Sequence, residues 1–146
     1  MTTPTRITTI TIRPAIAISP SSEVSVYIAL QAADWLSRLV QIPSVTPVQA
    51  RAGDPAAGEA RIANALAHWF TRLGADVAVD EVLPNRPNVY GLWPGLSDRW
   101  IAVDVHVDTV GVDQMTEAPF SGDIRDGRVW GRGAVDTKAS LGVILA

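Results

Sequence analysis

The stretch from Ile101 to Asp108 alternates without a break. Ile101, Val103, Val105 and Val107 fall on one face, and Ala102, Asp104, His106 and Asp108 on the other. That is the period of a β-strand. A strand that sets a histidine and a carboxylate two residues apart near its end constrains the fold around it. Such groups cost free energy to bury unless something pairs with them. Neutral imidazole is a common zinc ligand, and a neighbouring carboxylate can orient it through its second ring nitrogen. A lone His-x-Asp string also arises by chance, with the histidine a hydrogen-bonded structural residue.

A second stretch, Asp123 to Lys138, adds weight to the first. Asp126-Gly127 lies between Ile124-Arg125 and Arg128-Val129-Trp130, the pattern of a tight β-hairpin. Gly131-Arg132-Gly133 lets the backbone turn sharply and approach something closely. Neither GxxxxGK[ST] nor GxGxxG is present, so this is not a phosphate loop. Asp136 follows, and a helix is predicted from Thr137 onward.

Ahead of these, residues 1–20 are rich in Thr and Ile and punctuated by Pro4, Pro14 and Pro20. They read as a disordered extension, or alternatively as a short strand. Ser21 or Ser22 caps a helix running to about Val40, with Ile28, Ala32, Trp35, Leu36, Leu39 and Val40 as its apolar stripe. Asp54, followed by Pro55, is predicted to cap a second helix whose buried stripe is Ile62, Leu66, Trp69, Phe70 and Leu73. His68 falls on its polar face and reads as solvated. Strands are expected over residues 75–82, 88–93 and 100–107. Two helices followed by strands predict an α/β fold, a three-layer αβα arrangement around a mixed, mostly parallel sheet. In such sheets ligands bind beyond the carboxyl ends of the strands, where His106 and Asp108 lie.

Composition narrows the function classes. The net charge of −3 gives no electrostatic reason to expect nucleic acid. With no cysteine among the 146 residues, thiolate zinc sites and cysteine nucleophiles are excluded. No apolar run approaches a membrane span and no signal peptide is recognised, so a cytoplasmic protein is expected. The chain ends in Leu141-Gly142-Val143-Ile144-Leu145-Ala146, an apolar segment with no charge. It therefore reads as the front part of a longer protein, incomplete at the C-terminus.

His106-Val107-Asp108-Thr109-Val110, Pro119-Phe120 and Asp126 through Lys138 together resemble the co-catalytic zinc hydrolases of the acetylornithine deacetylase, succinyl-diaminopimelate desuccinylase, carboxypeptidase G and aminoacylase group. Leu39-Val40-Gln41-Ile42-Pro43-Ser44-Val45 is similar to that group's opening helix and loop. The resemblance implies that residues 21–146 are the N-terminal part of a catalytic domain that hydrolyses amide bonds in acyl-amino acids or small peptides. It implies two divalent metal ions, zinc foremost, with cobalt or manganese also accepted by such ligands. By the same resemblance His106 binds one metal, Asp136 bridges both, and Asp108 holds the histidine from behind. The complete protein is then expected to be a homodimer.

Two positions depart from the family pattern. Val105 stands where glycine often precedes the histidine, and Ala139 where glycine often follows the lysine. Asp104 is expected to pair with a nearby donor. The family's general-base glutamate and remaining metal ligands come after the residue matching Asp136 and are not in this sequence. Two further readings stay open: a truncated or relic chain without catalysis, and an α/β interaction domain with no metal.

Overall fold

The computed structural model describes residues 8–12 and 22–146. The elements run β1 (Thr8–Ile12), α1 (Ser22–Val40), α2 (Ala60–Arg72), β2 (Asp76–Leu83), β3 (Arg86–Trp93), β4 (Ile101–Val105), β5 (Ile124–Arg125), β6 (Arg128–Val129) and α3 (Lys138–Leu145). Most of the expected extension lies outside the described residues. Thr8–Ile12, however, forms a strand in the sheet, so the Ile-Thr alternation is used there.

The main sheet has the order β2-β3-β1-β4. β2 pairs antiparallel with β3, β1 parallel with β3, and β1 antiparallel with β4. The sheet is therefore mixed, as expected, but not mostly parallel. The reason is chain length between strands. β2, β3 and β4 follow one another through short connections, and neighbouring parallel strands need a crossover of a dozen or more residues. β1 is separated by α1 and α2 from both of its neighbours, and it lies parallel to β3 and so antiparallel to β4.

Both ends of α2 differ from the sequence reading. The helix begins at Ala60 rather than beside Asp54. Val45 N–H donates to Ala56 O (2.9 Å) and Gly58 N–H to Val45 O (2.9 Å), which ties this segment to Val45 and keeps it out of the helix. Asp54 Oδ1 instead accepts from the Ala56 amide at 2.7 Å, closing a local turn. Ile62, Leu66 and Phe70 are fully buried, whereas Leu73 at the helix end is exposed. His68 is exposed, as expected.

The core lies on one face of the sheet. Leu39 of α1, Ile62, Leu66 and Phe70 of α2, and Leu141 and Leu145 of α3 meet Val89 and Val105 of the strands. Burying side chains of this size contributes about 1.5–3 kcal/mol each. Gly142 lets α3 lie close on α1, because a Cβ there would come within 2.9 Å of Ala32 O. Phe70 meets Trp93 edge-on, with ring centroids 5.2 Å apart.

The opposite face is open among the described residues. Tyr90, Leu92, Ala102 and Asp104 are exposed there. The described fold is thus two-layered, helices on one side of a sheet, in place of the expected three layers. Asp104 has no partner among the described residues, contrary to expectation, because its face of the sheet is solvated.

Candidate metal centre

β4 ends at Val105, and the alternation carries one step further so that Val107 is also buried. A second segment secures this extension. Ser44 Oγ donates to Val107 O at 2.7 Å, Thr109 N–H to Ser44 O at 2.9 Å, and Thr46 N–H to Thr109 O at 2.8 Å. With Val105 and Val107 fixed in the core, His106 must face the other way, into the cleft beyond the strand end.

The second motif is held just as tightly. Asp126 and Gly127 both adopt positive φ, 53° and 69°, the conformation the predicted Asp-Gly hairpin demands. Gly131 and Gly133 follow with φ of 142° and 82°. A Cβ on Gly131 would overlap Val40 Cγ1 and approach Pro119 O to 2.9 Å, and one on Gly133 would lie 2.8 Å from Thr109 Cγ2. This turn therefore packs directly against α1 and against the segment carrying His106.

Lys138 anchors the turn from the other side. Its side chain is completely buried, and Nζ donates to Leu39 O at 2.9 Å and Ile42 O at 2.8 Å. These carbonyls lie at the C-terminal end of α1, where helical partners run out. Burial, reinforced by the charge of Arg61, lowers the lysine pKa to about 7.

These restraints bring the three expected residues together. His106 Nδ1 lies 3.1 Å from Asp108 O and 3.2 Å from Asp108 Oδ1, and His106 Nε2 lies 3.1 Å from Asp136 Oδ1. The side chains of His106 and Asp108 are 32% and 27% exposed, and that of Asp136 is 85% exposed. Both groups at Asp108 are acceptors, so a neutral imidazole places its proton on Nδ1 and its lone pair on Nε2. That lone pair then faces a carboxylate oxygen, which is also only an acceptor. A cation between them, or a second proton on the ring, reconciles the pair. A metal ion suits this donor set, one imidazole nitrogen and one carboxylate, with a carboxylate orienting the ring.

The three residues line a cavity of about 610 Å³ together with Thr109, Trp130 and Arg132. Trp130 is steadied by Arg125, whose guanidinium lies 4.4 Å from the ring centroid. Among the described residues no group of three or more His, Cys, Asp or Glu side chains is placed to hold a metal. The described chain presents a pair of donors, not a closed set.

One buried ion pair, Glu59 with Arg86, was not legible in the sequence. Glu59, fully buried, accepts from Arg86 Nε at 3.0 and 2.9 Å and from Nη2 at 2.6 Å. The hydrogen bond to Glu59 is the main cause of a raised Arg86 pKa, opposed by burial, with smaller contributions from the charges of Glu59 and Asp108. The field of Asp108 thus reaches the pair.

Residues 102–146 match the model of Peptidase family M20/M25/M40. A succinyl-diaminopimelate desuccinylase of Methylocella silvestris is 31% identical over 122 residues, 82% of this chain and 30% of that protein. An N-formyl-4-amino-5-aminomethyl-2-methylpyrimidine deformylase of Halalkalibacterium halodurans is 30% identical over 113 residues, 73% of this chain and 25% of that protein. The chain belongs to the M20/M25/M40 peptidase family. A probable carboxypeptidase S-like 2 of Dictyostelium discoideum shares 39% identity over 69 residues, 44% of this chain and 13% of that protein. This M20 family chain is therefore of a hydrolase family, and it spans less than a third of the length of these relatives. No helix among its described residues is long and apolar enough to cross a membrane.

Proposed function

We propose that this M20 chain supplies the first part of a two-metal site that hydrolyses amide C–N bonds of acyl-amino acids or small peptides. The observation that carries the reading is the approach of His106 Nε2 to Asp136 Oδ1 at 3.1 Å, two acceptors facing one cavity. His106 would hold one divalent ion, Asp136 would lend its carboxylate to the pair of ions, and Asp108 would fix the imidazole tautomer. When bound, such ions lower the pKa of a shared water and polarise the amide carbonyl. The chain's own part would be to hold these ions, with Asp108 orienting the His106 ring through Nδ1. Zinc is the foremost choice, and cobalt or manganese fit the same donors.

A hydrolytic zinc site uses about three protein ligands per metal besides water. The donor pair described here falls short of that, which supports a reading in which residues 21–146 are the front part of a catalytic domain. The open sheet face with Tyr90 and Leu92 supports a further helical layer in the complete domain, making it three-layered. A homodimer acting on small acyl-amino acids or peptides rests on the resemblance alone.

The test is metal uptake by the purified 146-residue chain after dialysis against zinc. Wild type is expected to retain zinc weakly and to show no amide hydrolysis, and His106→Ala to retain none. Equal zinc content in wild type and His106→Ala would overturn the metal assignment. Clear turnover by the chain alone would overturn its incompleteness.

A further inference from the structure

We propose that Arg132, with Thr109 beside it, forms the anion-binding side of the cavity and takes the carboxylate of the substrate. This deepens the reading above and rests on it for the substrate class. Arg132 is the only Lys or Arg among the described residues lining that cavity. The acidic groups Asp108, Glu117 and Asp136 line it too, so Arg132 is the one basic side chain among three carboxylates there.

Five of the other described arginines are committed. Arg38 pairs with Asp34, Arg51 with Asp113, Arg86 with Glu59 and Arg125 with Glu117, and Arg61 donates to backbone carbonyls. Arg132 differs: its Nε is buried and has no hydrogen-bond partner. Thr109, 5% exposed, lines the same cavity, and its Oγ1 is likewise buried without a partner. An N–H and a hydroxyl left without partners, on two residues that line the same cavity, mark a place where an acceptor is missing.

The backbone carrying Arg132 is fixed. Its N–H donates to Pro119 O at 2.6 Å, and the glycines on either side are wedged against Val40 and Thr109. A guanidinium on such a base presents a planar fork of donors that matches a carboxylate in bidentate fashion. An ammonium in its place offers a point charge without that match. The same geometry sets specificity, because a substrate lacking the anion leaves these donors unpaired.

The test is a titration of the chelator-treated 146-residue chain with N-acetylglycine and with its uncharged amide, N-acetylglycinamide. The Arg132 Nε–H resonance is followed by NMR. The acid is expected to shift that resonance saturably and to bind at least ten-fold tighter than the amide. Arg132→Gln is expected to abolish the preference and Arg132→Lys to keep part of it. Equal binding of acid and amide, an unmoved Nε–H resonance, or an undiminished preference in Arg132→Gln would each overturn the proposal. The wild-type comparison stands even where a variant fails to fold. Zinc uptake is measured in parallel on the same samples. Its failure with the carboxylate preference intact removes the metal reading alone, and the reverse result removes this one alone.

Discussion

Glu59 and Arg86 form a two-pronged ion pair with the carboxylate wholly out of solvent, its closest approach 2.6 Å. It joins the start of α2 to the start of β3 and so sets where the helix layer meets the sheet. Breaking one partner leaves an uncompensated charge in the interior, which costs about 3–5 kcal/mol. Glu59→Gln and Arg86→Met are each expected to lower the unfolding free energy by that order in urea denaturation. Replacing both with apolar residues is expected to recover most of the loss, since desolvation no longer has to be offset.

Lys138 gives the chain a specific pH dependence. Its pKa is lowered from 10.5 to about 7 in the folded protein, first by burial and then by Arg61. Between those values the unfolded chain binds the proton and the folded chain does not, so stability rises with pH across that window. Below about pH 7 both states are protonated and the full penalty of burying the ammonium applies. The neutral amine still has two N–H groups for Leu39 O and Ile42 O. Denaturation of chelator-treated protein at several pH values is expected to show this rise, on the order of a few kcal/mol in total. Lys138→Met is expected to remove it, and a slope unchanged in that variant would contradict the assignment.

How much of this was legible in the sequence follows from the range of each interaction. His106, Asp108 and Asp136 could be found because each sits in a local pattern. The strand alternation aims His106 away from Val105 and Val107, and Asp-Gly followed by Gly-Arg-Gly fixes the turn before Asp136. The Glu59–Arg86 pair could not be found that way. Its members lie in two segments, one read as helix interior and the other as a Pro-flanked loop, and only tertiary packing joins them. The late start of α2 has the same origin, because hydrogen bonds with Val45 tie down residues 56–58 outside the helix. The mostly parallel sheet was expected from element order alone. The short connections between β2, β3 and β4 carried the contrary information.

Gly131 is expected to tolerate no side chain. An alanine there would need a φ of 142°, which costs about 1–3 kcal/mol in strain, and its Cβ would overlap Val40. Gly131→Ala is expected to lower the thermal midpoint and to weaken zinc retention together, because the displaced turn carries Asp136. Normal zinc retention in a folded Gly131→Ala chain would show that the turn does not position that carboxylate.

Asp108 separates orientation from ligation. It touches His106 through two acceptors on Nδ1, the side-chain Oδ1 at 3.2 Å and its own backbone O at 3.1 Å. Removing a carboxylate behind a metal-binding histidine typically costs about 10–100-fold in metal affinity. Asp108→Ala keeps the backbone oxygen, so the imidazole retains one partner for its Nδ1 proton and the expected loss is near ten-fold. Asp108→Asn keeps a side-chain acceptor but removes the charge, and is expected to fall between alanine and wild type. Competitive cobalt titration against a chromophoric chelator reads these differences directly. A loss in Asp108→Ala as complete as in His106→Ala would make Asp108 a ligand in its own right rather than a support for the ring.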